Sequence, residues 1–258
     1  HYTDYIKEVR AEQEAMAVAY DGPLPAGIPM LPEKVTKEVM AEFLESSRDF
    51  ILGLEREAVV PASFSFERPM LVASNSPAFV TNYYKLLEYH LNRLSGKYNT
   101  VILDPSQRIN NQFFDGIQRF DTSLEVDNVM KTILEDFKKR VASPNQDYPK
   151  WLILIPDIAA TAMAAGVSEV DFKQLLSEGA QYGVTLLFIG AYQDLVANNY
   201  DTSVKLANQL VEQVFLGVRI SDQDHTRYPY ITNEPALKPN QGYILYPDRY
   251  ESIQLLEI

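Results

Sequence analysis

An α/β domain, its mostly parallel sheet covered by helices on both faces, is expected from three features of this chain. The runs Thr100 to Asp104, Trp151 to Asp157 and Val184 to Ile189 are continuously apolar rather than alternating, as strands buried on both faces are. Amphipathic stretches of helical period separate them. Each run stops at an acid, proline or glycine, so strand, turn and helix follow one another in the order a parallel sheet requires.

Taken along the chain, residues up to Ala19 carry a helical pattern. The segment from Asp21 to Pro32, with Gly22, Pro23, Pro25, Gly27, Pro29 and Pro32, is a proline-rich connector. Helical period returns from Glu33 to Arg48. Phe50 to Leu54 and Ala58 to Phe66 are expected as strands or edge structure, ahead of a strand ending at Ala73. Phe79, Val80, Tyr83, Tyr84, Leu87, Leu91 and Leu94 recur at helical spacing until Gly96, a suitable left-handed stop. Beyond the 100–104 strand, Ser123 to Val141 is a strong helix. Ser168 caps another that reaches Tyr182 and ends at Gly183. Val204 to Val211 completes the helices, and Gln213 to Ile220, Gly242 to Tyr246 and Ser252 to Ile258 the strands.

A chain of 258 residues can bury a large core. With no cysteine, disulfides, thiolate metal sites and thiol catalysis are excluded. The formal net charge of −12 argues against binding a nucleic-acid backbone, which needs clustered cations. No apolar run approaches the roughly 20 residues of a membrane span, so no direct membrane insertion is expected, nor is there a signal segment. A chain that begins at His1 is expected to be a fragment.

The stretch from Ser74 to Thr81, read in sequence as Ser74, Asn75, Ser76, Pro77, Ala78, Phe79, Val80 and Thr81, falls where a nucleotide hydrolase places its phosphate loop between strand and helix. A working loop reads G-x-x-x-x-G-K-[ST]: the glycines let N–H groups close around phosphate oxygens, the lysine neutralises them and the hydroxyl binds Mg²⁺. Here Ser74 and Phe79 stand at the glycine positions and Val80 at the lysine, so Thr81 alone is retained. Ser76 before Pro77 is an ordinary helix start, N-cap then first helical position. Asp157, closing the 151–157 run, corresponds to the aspartate that a buried strand delivers to Mg²⁺, but the glutamate usual beside it is missing. A turn cap after a core strand explains Asp157 equally well. If ATP and Mg²⁺ bind at all, Ser74 to Thr81 would hold the nucleotide, and Thr81 with Asp157 the metal.

Longer segments carry a resemblance. The run FKQLLSEGAQYGVTLLFIGAYQ (Phe172 to Gln193) resembles the helix and following strand of FtsK/SpoIIIE-type ATPases, and NQLVEQVFLGVRISDQ (Asn208 to Gln223) the next strand. IPMLPEKV (Ile28 to Val35), ILGLEREAVVPASF (Ile51 to Phe64) and NQGYILYPD (Asn240 to Asp248) are similar to ATPase modules of the type VII secretion membrane protein, the EssC/EccC family. The resemblance implies a P-loop NTPase-like fold of RecA/FtsK type. It implies an extension and connector over residues 1–49 and a degenerate ATPase domain over 50–258, the last module of several. It further implies a hexameric motor below a membrane anchor, so that this chain is a cytoplasmic domain of a bacterial cell-membrane protein. Partners would be helical WXG100-type export substrates and neighbouring ATPase modules.

Substrate recognition and assembly is therefore the expected function, with little or no hydrolysis. A rival keeps Mg-ATP turnover by borrowing a cation from Lys85, Arg219, Arg227 or Arg249. Restoring glycine and lysine at Phe79 and Val80 should raise nucleotide affinity if the loop keeps its shape. Asp222, Asp224 and His225 form an acidic turn better explained as a solvated loop than as a metal site. Tyr228, Tyr230, Tyr243, Tyr246 and Tyr250 are candidates for an aromatic recognition surface, with packing an equal explanation. His1, His90 and His225 support no Ser-His-Asp arrangement.

Overall fold

A computed structural model describes residues 2–19, 29–94, 96–144, 147–229, 231 and 233–258. The chain divides into two compact units, His1–Met30 and Leu31–Ile258. The first holds helix α1, Tyr2–Ala19. Residues 21–28 of the expected connector lie outside the described residues, as do His1 and Tyr230.

The second unit begins with a departure from the expected 33–48 helix. Only Ala41–Ser46 (α2) is helical, because Val35 instead bridges Leu256 and its carbonyl accepts from the Glu257 N–H at 2.8 Å. Strand β1 (Phe50–Glu55), β2 (Pro61–Phe64) and β3 (Met70–Ser74) follow, then helix α3 (Pro77–Arg93) and strand β4 (Tyr98–Leu103). Short strand β5 (Gln118–Phe120) leads into α4 (Ser123–Ala142), which Thr122 and Glu125 start with a reciprocal capping box. Strand β6 (Lys150–Ile155), α5 (Ile158–Ala165) and α6 (Glu169–Glu178) come next, with a 3₁₀ turn over Gly179–Tyr182 ended by Gly183 at φ 75°. Strand β7 (Val184–Ala191), a π turn (Gln193–Ala197), α7 (Thr202–Leu210), β8 (Gln213–Gly217), β9 (Gln241–Leu245) and β10 (Tyr250–Leu255) complete the unit.

All ten strands form one sheet in the order β2-β1-β10-β9-β8-β3-β7-β6-β4-β5. The run from β8 to β5 is parallel throughout, and β9, β10, β1 and β2 extend it antiparallel. The sheet is thus mixed, its parallel part carrying the expected strand–helix alternation. Met70, Val72, Leu152, Leu154, Leu187 and Ile189 face one core with Tyr83, Tyr84, Leu87 and Leu91 of α3. Leu71, Ala73, Ile153, Ile155, Leu186 and Phe188 face the other, with Val126, Met130, Ile133 and Phe137 of α4, Ile158 of α5 and Phe172 and Leu175 of α6. Both sides of these strands are therefore dry, which is why their sequence does not alternate. Each such side chain contributes about 1.5–3 kcal/mol by leaving water.

Candidate functional site

Parallel strands deliver their carboxyl ends to one edge, and a crevice forms where successive connections leave in opposite directions. That happens at β3: the chain continues to β4 on one side, three places along the sheet, while β8 pairs on the other. The β3–α3 junction and the acidic ends of β4, β6 and β7 therefore share an edge.

At the junction, Ser74 is the last residue of β3 and Pro77 the first of α3, so Asn75 and Ser76 alone make the turn. Ser74 is buried, and its hydroxyl donates to the Gly217 carbonyl at 2.7 Å while accepting from the Ser76 N–H at 3.1 Å. Ser76 occupies the N-cap position without a side-chain capping bond. Ala78, Phe79, Val80 and Thr81 lie in the opening turns of the helix, and the Val80 N–H already bonds the Ser76 carbonyl at 3.1 Å. Phe79 and Val80 are half-buried against the core. A Cβ on Gly217 would lie 2.1 Å from the Tyr83 hydroxyl and 3.0 Å from the Phe79 ring, so aromatic groups fill the space over the strand ends. Burial holds the Tyr83 phenol above its ordinary pKa. The Ser76 N–H is spent on the Ser74 hydroxyl and the Val80 N–H on the helix itself.

Three strands away from β8 the chemistry is ionic. Asp157 is the N-cap of α5, its Oδ1 accepting from the Ala160 N–H at 3.0 Å, with the side chain 10% exposed. Its Oδ2 lies 3.6 Å from Nε of Arg108. The Arg108 Nη2 donates to Oδ1 of Asp194, in the turn after β7, at 3.0 Å. Asp104, fully buried just past β4, accepts from the N–H groups of Arg108 at 2.8 Å and Ile109 at 2.9 Å. Burial, with the Asp157 charge added, raises the pKa of both Asp104 and Asp194. Among the described residues no group of acids and histidines is arranged to hold a metal ion.

Asp157 thus stands at the strand end expected for it. Arg108, Asp104 and Asp194 were not singled out by motif or spacing. The signal for the acids was present, since Asp104 closes one apolar run and Asp194 follows another by a few residues. Nothing marks an exposed arginine in a loop.

Of the other cations, Arg219 leaves β8 at the same edge as Ser74, but it forks onto Asp222 through bonds of 2.7 and 3.0 Å. Lys85 is exposed on α3. Arg249 follows β9, whose antiparallel course carries it to the opposite edge, and Arg227 lines a groove of about 800 Å³ there with Gln213 and Pro247. Asp222 is occupied by Arg219, the Asp224 N–H donates to the Tyr192 hydroxyl at 2.9 Å, and His225 Nδ1 meets Thr226 Oγ1 at 3.0 Å. Tyr228, Tyr243 and Tyr250 stack edge to face with ring centres 5.2 and 5.5 Å apart, and Tyr246 lies under Arg249.

No protein-family model matches the chain. The type VII secretion system protein EssC of Staphylococcus aureus is 26% identical over 97% of this chain, and the ESX secretion system protein YukB of Bacillus subtilis 22% over 90%. The chain spans about a sixth of those relatives, 17% and 16% of their lengths. Among solved structures, EssC (ATPases 2 and 3) from Geobacillus thermodenitrificans superposes with a TM-score of 0.67 at 18% identity, covering 98% of this chain and 50% of that one. EccC (ATPases 2 and 3) of Thermomonospora curvata, in complex with a signal sequence peptide, gives 0.65 at 13%, covering 93% and 46%. In sequence along nearly its whole length, and in fold, the chain resembles an ATPase module of the EssC/EccC type VII secretion proteins.

Proposed function

We propose that this chain is an ATPase-fold module of a type VII secretion motor whose nucleotide site is out of use, and that it acts in substrate recognition and assembly. One observation carries the reading: β3 enters α3 through Asn75 and Ser76 alone, which puts Phe79 and Val80 inside the helix. A phosphate there meets no lysine, and the N–H groups of Ser76 and Val80 are already bonded. Each missing charge-assisted hydrogen bond costs on the order of 1.5–3 kcal/mol, so the absence of two or three removes useful affinity. Among the described residues no helix is long and apolar enough to cross a membrane, in keeping with a cytoplasmic domain of a membrane protein.

The partners on this reading are helical WXG100-type substrates and neighbouring ATPase modules, within an oligomer. Support comes from the relative solved with a signal sequence peptide. An isolated module should hold its substrate weakly, because a ring adds grip by multivalency. Calorimetry with a cognate substrate pair, with and without the substrate's C-terminal signal, tests this. Signal-dependent binding is expected; equal binding of both forms, or tight binding of duplex DNA at physiological salt, contradicts it.

The second reading, Mg-ATP turnover with a borrowed cation, draws on Arg219, which sits two residues beyond Gly217, the partner of Ser74 in the sheet. It requires Arg219 to leave Asp222. Turnover abolished by Arg219→Ala would support it.

A further inference from the structure

The edge that carries Asp157 holds more negative charge than one strand end requires. Asp104 from β4, Asp157 from the β6–α5 turn and Asp194 from the turn after β7 come from three adjacent strands, and Asp157 acts electrostatically on both of the others. The side chains of Asp157 and Asp194 are 10% and 14% exposed, so water screens them poorly. Parallel strands that converge with like charges repel unless a cation lies between them, the usual arrangement being a bound metal.

Arg108 is placed to be that cation. Its Nε faces Asp157 at 3.6 Å and its Nη2 faces Asp194 at 3.0 Å, so a single guanidinium spans the ends of two neighbouring strands. Its own N–H is fixed by Asp104 at 2.8 Å, and the preceding residue, Gln107, is held at φ 53°, a left-handed conformation that side chains rarely take. The loop is thereby shaped to return Arg108 over the strand ends. The other titratable groups facing the cluster are Arg119 of β5, which acts on Asp104, and the Tyr84 phenol of α3, raised by burial and by Asp104 and Asp194. Arg119 is engaged elsewhere, donating to the Ile109 carbonyl and to Asn111, each at 2.8 Å.

We propose that Arg108 is a positioning residue, a built-in cation that takes the place of a divalent metal between Asp157 and Asp194 and holds the ends of β6 and β7 together with no ligand bound. The module then keeps its edge assembled independently of Mg²⁺. This inference is independent of the recognition role proposed above, and a stability measurement separates the two.

The test is thermal unfolding of the chain and of Arg108→Gln, Asp194→Asn and their combination, with and without millimolar Mn²⁺. At neutral pH, Arg108→Gln should lower Tm by about 3 °C, the scale of one half-exposed charged contact in a domain of this size. In the Asp194→Asn background the same change should cost clearly less, because the repulsion it exposes is gone. As pH falls from neutral toward the ordinary carboxylate range the difference between wild type and Arg108→Gln should narrow, since a carboxyl of raised pKa takes up its proton sooner than an ordinary one. Mn²⁺ should leave the wild type unmoved. Arg108→Lys, which keeps the charge, should regain most of the loss, and serves alone if the glutamine variant does not fold. Equal losses in both backgrounds, a lysine variant as unstable as the glutamine one, or a wild-type Tm raised by Mn²⁺ would overturn the proposal.

Discussion

Two strand-to-helix junctions on one edge of the sheet, β3 into α3 and β6 into α5, have been adapted in opposite ways. At the first, Ser74, Phe79, Tyr83 and Gly217 close the space with a hydroxyl, two rings and a bare backbone, and no charge is involved. At the second, Asp157 keeps its carboxylate, capping α5 with one oxygen and facing Arg108 with the other. The first junction is closed without charge, and the second balances its charge internally. If the module works without nucleotide, as proposed, the two junctions call for separate chemistry, because a buried carboxylate needs a counter-charge whether or not a ligand supplies it.

Substitutions at the two junctions should separate them. Gly217→Ala pushes a methyl group onto the Tyr83 hydroxyl and Phe79 ring, and should cost about 3 kcal/mol by overpacking, read as a large drop in urea midpoint. An unchanged midpoint would mean that the first junction is not closed. Acid should act on the two regions with opposite sign. The far end of α3 is anchored by His90, fully buried, whose Nε2 meets the Ile51 carbonyl at 3.0 Å and whose pKa burial lowers to about 4. The folded state excludes a proton that the unfolded chain takes up below about pH 6.5, so this contribution is complete above that pH and is lost as pH falls through about 4, up to about 3 kcal/mol. Asp104 and Asp194, raised rather than lowered, should become less unfavourable as pH falls toward the ordinary carboxylate range. Imidazole NMR titration checks the first: protonation of His90 near its ordinary pH would contradict it.

Asp104→Ala comes next, leaving the N–H groups of Arg108 and Ile109 unpaired at a cost of about 2 kcal/mol, measurable by chemical unfolding. The smallest effect on nucleotide binding is expected from Phe79→Gly combined with Val80→Lys. Both positions are helical and packed against the core, so the pair should lower stability through helix propensity and the lost Phe79 ring, while nucleotide affinity should not rise. A clear gain in ATP affinity would show that the turn can open into a phosphate loop after all.

The parallel core was legible because its strands are buried on both faces, which leaves uninterrupted apolar runs at 100–104, 151–157 and 184–189. Helix α5 was not, since its sequence from Ile158 to Ala165 is apolar but for Thr161 and has no period to detect, although Asp157 and Gly166 frame it. The 33–48 stretch has helical spacing, but tertiary pairing of Val35 with Leu256 prevails over it. At the site, motif spacing located the edge and Asp157. The Ser76–Pro77 pair also marked where α3 begins, with Phe79 and Val80 on it. That Arg108 folds back between two acids was not legible, because it depends on three-dimensional register.

The most direct test of the central claim, that this edge works without nucleotide, is a calorimetric titration of the purified chain with ATP and Mg²⁺, accompanied by a phosphate-release assay. No saturable binding at millimolar ATP and no turnover are expected. Saturable binding with turnover that Asp157→Ala abolishes would contradict it.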